Sequence, residues 1–328
     1  MKVGWIWLCV LLVPMGLIAG EVDEAAFPLY PKILDEEPEG TSPATTEGGV
    51  EVLLAHLKDG SFAWVPVTVE NGSPLHYSVR VGTSMGKDAQ LHVDAGDFPT
   101  LARTGMHAES ELAGREMITG YAVSLITHNG RPGRLSHEGF MAADEDVLSV
   151  LIGDNRLVAK MGLSHRHTAR PLFHVWNLIL KEIELGNWRR FWDHIPAFTY
   201  NGRTVALTAS GSKGWQVSIF QDEIQGRYNF SVSTTLSEKE RAFLERKYGR
   251  LKPDEMADLE KRLTKIGFSE MAPYYIMRYG FYEGHTGYRA DPIAIAFVFG
   301  LRSLQELEAA FPGRLYEALS DHHLSQGL

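Results

Sequence analysis

Apolar and polar residues alternate along the first part of the chain in the pattern of β-strands. Asp59-Gly60 and Asn71-Gly72 separate short apolar runs, and these dipeptides are typical of hairpin turns. The expected strands are Val50–Leu57, Phe62–Glu70, Leu75–Val81, Gln90–Val93 and Tyr121–Thr127. Residues 198–235 form a second extended region, where alternation around Tyr228, Phe230 and Val232 has the period of two that a sheet with one solvated face requires.

Between and after these strands the apolar spacing changes to that of helices. The expected central helices are Asp144–Ile152, Arg156–Met161 and one from Pro171 to about Leu185. Residues 236–328 are predicted to be wholly helical, and Ser237 and Ser303 each stand three residues before a Glu, which is the capping-box pattern. Strands, a central helix, strands and a helical block predict an α+β fold of antiparallel sheet segments.

The N-terminus has the three parts of a secretory signal peptide. Lys2 is followed by an apolar run from Val3 to Ala19, with small residues at its end. An uncleaved membrane anchor is the alternative, although a spanning helix needs ~20 apolar residues. Residues 21–48 are acidic and rich in Pro, Gly and Thr, which is typical of a flexible linker. The predicted organisation is a signal peptide (1–20), a linker (21–48) and a globular body (49–328), with a helical subdomain at 236–328 as an option.

Charge and cysteine content narrow the functional classes. The net charge is −9, and residues 21–40 contribute six of these charges, so the body is nearly neutral and does not have the basic composition of a nucleic-acid binder. Cys9, the only cysteine, lies in the predicted signal. A cleaved chain would therefore have no disulfide and no thiol nucleophile. We expect a periplasmic or extracellular protein that contacts a membrane only through an uncleaved signal.

Three histidines around residues 164–174 form a candidate metal site. If this segment is extended, His165 and His167 point the same way, and His174, in the first turn of the next helix, can join them. Zinc favours nitrogen ligands, and a catalytic zinc site needs about three protein ligands. The residues therefore predict zinc binding here. The alternative is an exposed polar loop, because the spacing matches no established metal signature.

A second polar cluster, Glu283–Asp291, lies between two apolar helical runs. Binding groups concentrate on loops held by a rigid scaffold. The candidate substrate ligands are His285, Tyr288, Arg289 and Asp291. Glu283 is a candidate catalytic proton shuttle. The alternative is an ion-paired turn between helices, in which Asp291 caps a helix that starts at Pro292.

Two further motifs complete the candidate chemistry. Glu138, beside His137, is a second candidate general acid or base. Gly82–Gly86 matches the sequence pattern of a nucleophile elbow, but that motif precedes a helix, and a strand-like segment follows here.

Taken together, the candidate residues favour a metal-dependent hydrolase acting on an extracytoplasmic substrate, in which zinc would supply hydroxide near neutral pH. A non-catalytic envelope or ligand-binding protein is the alternative, and the sequence leaves both open.

Overall fold

Antiparallel sheets and helices make up the part of the chain that the computed structural model describes, which confirms the predicted α+β class. The described residues are 40–45, 51–56, 62–70, 73–82, 88–94, 101, 105–184, 196–222 and 225–320. The predicted signal peptide at residues 1–20 lies outside them. Within these ranges, no helix combines the length and the apolar character needed to cross a membrane.

The N-terminal strands form a five-stranded antiparallel sheet in chain order. Its strands are β1 (Gly40–Thr45), β2 (Glu51–His56), β3 (Phe62–Glu70), β4 (Ser73–Gly82) and β5 (Asp88–Asp94). The predicted strands between residues 50 and 93 are therefore found. Within the predicted linker, residues 40–45 form β1 and pair with β2; residues 21–39 and 46–48 lie outside the described part. A strand, not a helix, is the next element after Gly82–Gly86, so the elbow interpretation fails.

A short ladder of β6 (Met117–Ile118) and β7 (Tyr121–Ala122) precedes the second sheet. That sheet has four antiparallel strands in the order β11-β10-β9-β8. They are β8 (Phe198–Tyr200), β9 (Arg203–Val217), β10 (Gln225–Ser233) and β11 (Lys265–Ser269). Phe230 and Val232 are buried while Ser231 between them is partly exposed, as the alternation predicted. β11 corrects the prediction of a wholly helical C-terminal block, since this strand pairs with β10 from inside that block.

The helices surround this sheet. They are α1 (Glu109–Leu112), α2 (Val123–Gly130), α3 (Val147–Lys160), α4 (His165–Glu184), α5 (Glu238–Tyr248), α6 (Pro253–Thr264), α7 (Ala272–Tyr279), α8 (Pro292–Val298), α9 (Leu304–Ala310) and α10 (Leu315–Ser320). The capping boxes at Ser237 and Ser303 are confirmed as the starts of α5 and α9.

Three helix boundaries differ from the prediction. The segment predicted as strand Tyr121–Thr127 is strand only to Ala122 and then becomes α2. α3 continues through Gly153, where a break was expected. α4 starts at His165 and carries Pro171 inside it. Ser164 explains the earlier start, because its hydroxyl accepts the backbone N–H of His167 at 3.3 Å in the manner of an N-cap.

The core lies between the second sheet and the helices. Trp176 of α4 is 1% exposed, and its ring lies 5.5 Å from that of Phe230 on β10. Every residue of α8 is buried, and so is every residue of α7 except Arg278. Because α7 and α8 are both held in the core, the segment that joins them has fixed ends. The middle of that segment reaches the surface.

Candidate functional site

The segment Glu283–Asp291, called the polar loop below, is anchored by buried charges. Arg289 donates from Nη2 to Oδ1 of Asp154 on α3 at 2.6 Å, and Nη1 donates to the carbonyl of Glu283 at 2.5 Å. Asp154 is fully buried and the Arg289 side chain is 10% exposed. Burial raises the pKa of Asp154, and the charge of Arg289 opposes that rise. The geometry therefore favours an ionised pair that fixes the loop to α3.

Asp291 closes the other end of the loop. Its Oδ1 accepts the backbone N–H groups of Ile293 at 2.8 Å and Ala294 at 3.2 Å, which caps α8. Two of the four candidate substrate ligands, Arg289 and Asp291, thus make the ion-paired, helix-capping turn that the alternative interpretation described. The polar groups of Arg289 and Asp291 therefore stabilise the conformation of the loop.

His285, in contrast, presents its ring at the surface. Its side chain is 32% exposed, and its Nδ1 lies 2.8 Å from Oε1 of Glu145, whose side chain is only 4% exposed. Glu145 Oε2 also accepts the backbone N–H groups of His285 at 2.9 Å and Ala142 at 2.6 Å. Burial alone would raise the pKa of Glu145, but the hydrogen bonds from His285 and Ala142 lower it to about 2. An ionised carboxylate therefore accepts the Nδ1–H of His285, and Nε2 is the ring nitrogen that can act as a base.

Glu283 is a second carboxyl group with the opposite environment. It is 2% exposed, and burial raises its pKa to about 8, against hydroxyl hydrogen bonds from Thr286 and Ser269 at 3.2 Å each. It therefore carries a proton at neutral pH. Its φ of +64° lies in the left-handed region that non-glycine residues avoid. Strained backbone of this kind collects at functional sites.

Glu138 and Tyr288 lie near the tip of the loop. Oε2 of the exposed Glu138 is 3.9 Å from the position that a Cβ on Gly287 would take. Gly287 and Tyr288 form one side of a cleft of about 200 Å³ over β9, β10 and β11, called the sheet cleft below. Its strand side chains include Thr208, Ser210, Asn229 and Ser231. The structure thus brings Glu138, Glu283, His285 and Tyr288 to one region.

The predicted zinc ligands are not brought together. The segment is helical, and residues two apart on a helix point about 200° apart, so the expected extended geometry is wrong. His165 is fully buried and His167 is exposed, with its Nδ1 2.9 Å from the Ser164 hydroxyl. His174 packs its ring against Phe198. In the described ranges, no group of three His, Cys, Asp or Glu side chains is arranged to hold a metal ion.

His165 belongs instead to a buried hydrogen-bond network. The side-chain amide of Asn155 donates to the carbonyl of His107 at 3.0 Å, so its Oδ1 is the acceptor for Nε2 of His165 at 2.9 Å. His165 therefore carries its proton on Nε2, and Nδ1 accepts from the Tyr282 hydroxyl at 3.0 Å. Burial, with the nearby His107, lowers the pKa of His165 well below its ordinary value. This network supports the core beneath the polar loop.

His107 is the second imidazole of this network. Its Nε2 donates to the carbonyl of Tyr279 at 2.7 Å, and its backbone N–H donates to Oδ1 of Asn155 at 3.1 Å. The residue is 6% exposed, and burial lowers its pKa to about 4.

Sequence reasoning missed Glu145, Ser269 and Asp154 as members of the site. Glu145 stands between two other acids just before α3, which is the pattern of a solvated helix start. Ser269 lies at the end of the unexpected β11, and Asp154 in the unexpected continuation of α3. Glu145 was expected in the first turn of the predicted helix Asp144–Ile152, so the sequence offered no signal for its pairing with His285.

Comparison of the chain with protein-family models, with curated protein sequences and with solved structures found no match.

Proposed function

We propose that the polar loop and Glu145 form the active site of a hydrolase that works by general acid–base catalysis. The observation that carries the proposal is the 2.8 Å hydrogen bond between Nδ1 of the surface-exposed His285 and Oε1 of the buried Glu145. A base oriented by a buried carboxylate is a recurrent arrangement for activating a nucleophile.

The two carboxyl groups have separate roles in this proposal. Nε2 of His285 takes a proton from water as the water oxygen attacks the substrate, and the charge of Glu145 stabilises the imidazolium that forms. The leaving group then receives a proton from the site. Glu283, protonated at neutral pH, is the candidate proton donor. Because its side chain is only 2% exposed, the leaving group of the substrate has to lie in direct contact with it. Titratable groups whose environments push their pKa values apart are typical of acid–base pairs.

This chemistry is assigned to the polar loop and not to a zinc centre. His165, His167 and His174 lie in three different environments, so a metal-dependent route has no ligand set among the described residues. The predicted signal segment supports a periplasmic or extracellular site of action.

A ligand-binding protein without catalysis is the second candidate. The sheet cleft favours it, because a cleft beside an ordered loop is sufficient for binding. Under this alternative the pair of Glu145 and His285 only fixes the loop.

Hydrolysis of chromogenic nitrophenyl esters, glycosides and phosphates by the purified protein tests the proposal. Each substrate class is measured from acid to alkaline pH for the wild type, His285→Ala and Glu145→Gln. His128→Ala is the matched control, because His128 is an exposed histidine at the end of α2. We expect one class to be hydrolysed, with kcat lower by about 10²- to 10⁴-fold in His285→Ala and Glu145→Gln, and unchanged in His128→Ala.

Reaction of the imidazoles with diethyl pyrocarbonate, read by mass spectrometry, gives an independent measurement. Glu145→Gln should slow acylation of His285 and leave His128 unaffected, because only His285 is oriented by Glu145. Turnover by His285→Ala at the wild-type rate would refute the proposal. It would also fail if the wild type turned over no substrate and Glu145→Gln left the acylation of His285 unchanged.

A further inference from the structure

We infer that the sheet cleft is a binding subsite for an uncharged, polyhydroxylated ligand of the size of one saccharide ring. That this ligand is also a substrate rests on the proposed function. That the cleft binds it rests on the cleft alone.

The floor of the cleft is set by the register of three strands. Ser231 on β10 pairs with Thr208 on β9 and with Gly267 on β11, which makes one row across the sheet. Asn229 pairs with Ser210 and with Ser269, which makes the next row. Residues two apart on a strand share a face, so both rows lie on the face opposite the buried Phe230 and Val232.

The side chains in these rows match hydroxyl groups. Ser, Thr and Asn each donate and accept hydrogen bonds, as sugar hydroxyls do. None of the described residues that line the cleft is charged. A charged ligand would lose its hydration without gaining a counter-charge there, which is costly. Carbon atoms also contribute much of the exposed lining of the cleft, so its surface suits a sugar ring, which presents C–H faces together with hydroxyl groups.

The size and roof of the cleft favour a single small ring. Its volume of about 200 Å³ is below the ~300 Å³ at which pockets for drug-sized ligands begin. Tyr288 forms part of the roof and offers an aromatic ring with a polar end. Across the cleft, Gly267 faces the carbonyl of Gly287, which lies 3.8 Å from the position a Cβ would take.

The cleft borders the polar loop, because Gly287 and Tyr288 line it. Ser269 is the last member of the row that contains Asn229, and its hydroxyl donates to Oε1 of Glu283 at 3.2 Å. Glu138 lies on the other side, near Gly287. A sugar in the cleft would therefore contact the same loop that carries Glu283 and His285, the residues to which the proposed catalysis is assigned.

Saturation-transfer NMR on the full protein tests the inference, with methyl β-glucoside, methyl N-acetylglucosaminide and glucuronate as the probes. Asn229→Ala/Ser231→Ala removes two of the binding groups, and Thr208→Trp fills the cleft from an exposed position. Ser233→Ala is the matched control, because Ser233 is on the same strand and face but does not line the cleft. Thermal unfolding of each variant establishes that it folds.

We expect a neutral sugar to bind, with a dissociation constant raised about tenfold or more in Asn229→Ala/Ser231→Ala. Binding should be lost in Thr208→Trp and retained in Ser233→Ala. Stronger binding of glucuronate, no binding of either neutral sugar, or equal binding by Thr208→Trp would overturn the inference. His285→Ala separates the two proposals: the subsite stands and the proposed catalysis fails if this variant binds sugar as the wild type does, no ester, glycoside or phosphate is hydrolysed, and Glu145→Gln leaves the acylation of His285 unchanged.

Discussion

Replacing His107 by Gln should make the free energy of unfolding less dependent on pH under mildly acidic conditions. The reason is that the variant no longer takes up a proton at this residue when it unfolds. Gln keeps an N–H donor that can reach the carbonyl of Tyr279, but it has no proton to gain at acid pH. In the folded protein the His107 pKa is about 4, against an ordinary value of 6.5. Between these values the unfolded chain binds more protons than the folded one. The stability from a neutral His107 is therefore complete above pH 6.5 and is lost as the pH falls toward 4.

The magnitude follows from the size of the pKa shift. A lowering from 6.5 to about 4, at 1.36 kcal/mol per unit, corresponds to about 3.4 kcal/mol in total. Near pH 5.5 the unfolded chain takes up about 0.9 proton at this residue. That uptake gives a slope of about 1.2 kcal/mol per pH unit in the free energy of unfolding.

Urea unfolding followed by circular dichroism, at several pH values between 5 and 6.5, measures that slope. The wild-type curve alone is not decisive, because Glu283, with a pKa raised to about 8, contributes a slope of opposite sign between its ordinary value of 4.5 and pH 8. The difference between wild type and His107→Gln isolates the histidine. His128→Gln, at an exposed site, is the control and should leave the slope unchanged. Equal slopes for wild type and His107→Gln would refute the argument, whatever the stability of the variant.

Substitutions at three further positions test the anchoring of the polar loop and one helix start, each by urea unfolding. Gly284→Ala should destabilise the fold by about 1–3 kcal/mol, because a Cβ there would overlap Oε2 of Glu145; an unchanged midpoint would contradict this contact. Arg289→Met should cost about 3–5 kcal/mol, since it leaves the fully buried Asp154 without its counter-charge, and a loss below about 1 kcal/mol would show that the pair is not buried. Ser303→Ala should cost about 1 kcal/mol through loss of the α9 cap, and Ser303→Thr, which keeps the hydroxyl, should recover most of it.

Local signals in the sequence predicted the elements that depend on local interactions. The alternation in Phe62–Glu70 and the capping boxes at Ser237 and Ser303 were sufficient, because side-chain period and caps act within a few residues. β11 was missed because its five residues directly follow α6, with no turn signal between them. α2 was predicted as strand from Val123 to Thr127 because of its β-branched residues, and tertiary packing outweighed that weak preference.

The candidate site could be predicted only as a set of residues. Glu283, His285 and Glu138 were recognisable from their types and from the loop that carries them. Their partners were not recognisable, since Glu145 is 140 residues from His285 and Asp154 is 135 residues from Arg289. Such pairs depend on how the helices pack, and a single sequence does not record that packing. The histidines near residue 165 were misassigned because the helix places consecutive imidazoles in opposite environments.

The polar loop is held at both ends by side chains that do not face the cleft, Arg289 and Asp291 among them. Its shape therefore does not depend on which residues occupy the exposed positions His285 and Gly287 or the partly exposed position Tyr288, apart from the bond from His285 to Glu145. If the polar loop binds a ligand as proposed, mutation at these positions can alter what it recognises and leave the fold that presents them intact. The loop is for this reason a natural place for ligand preference to diverge in evolution, and a suitable place to randomise in a library selected for new binding.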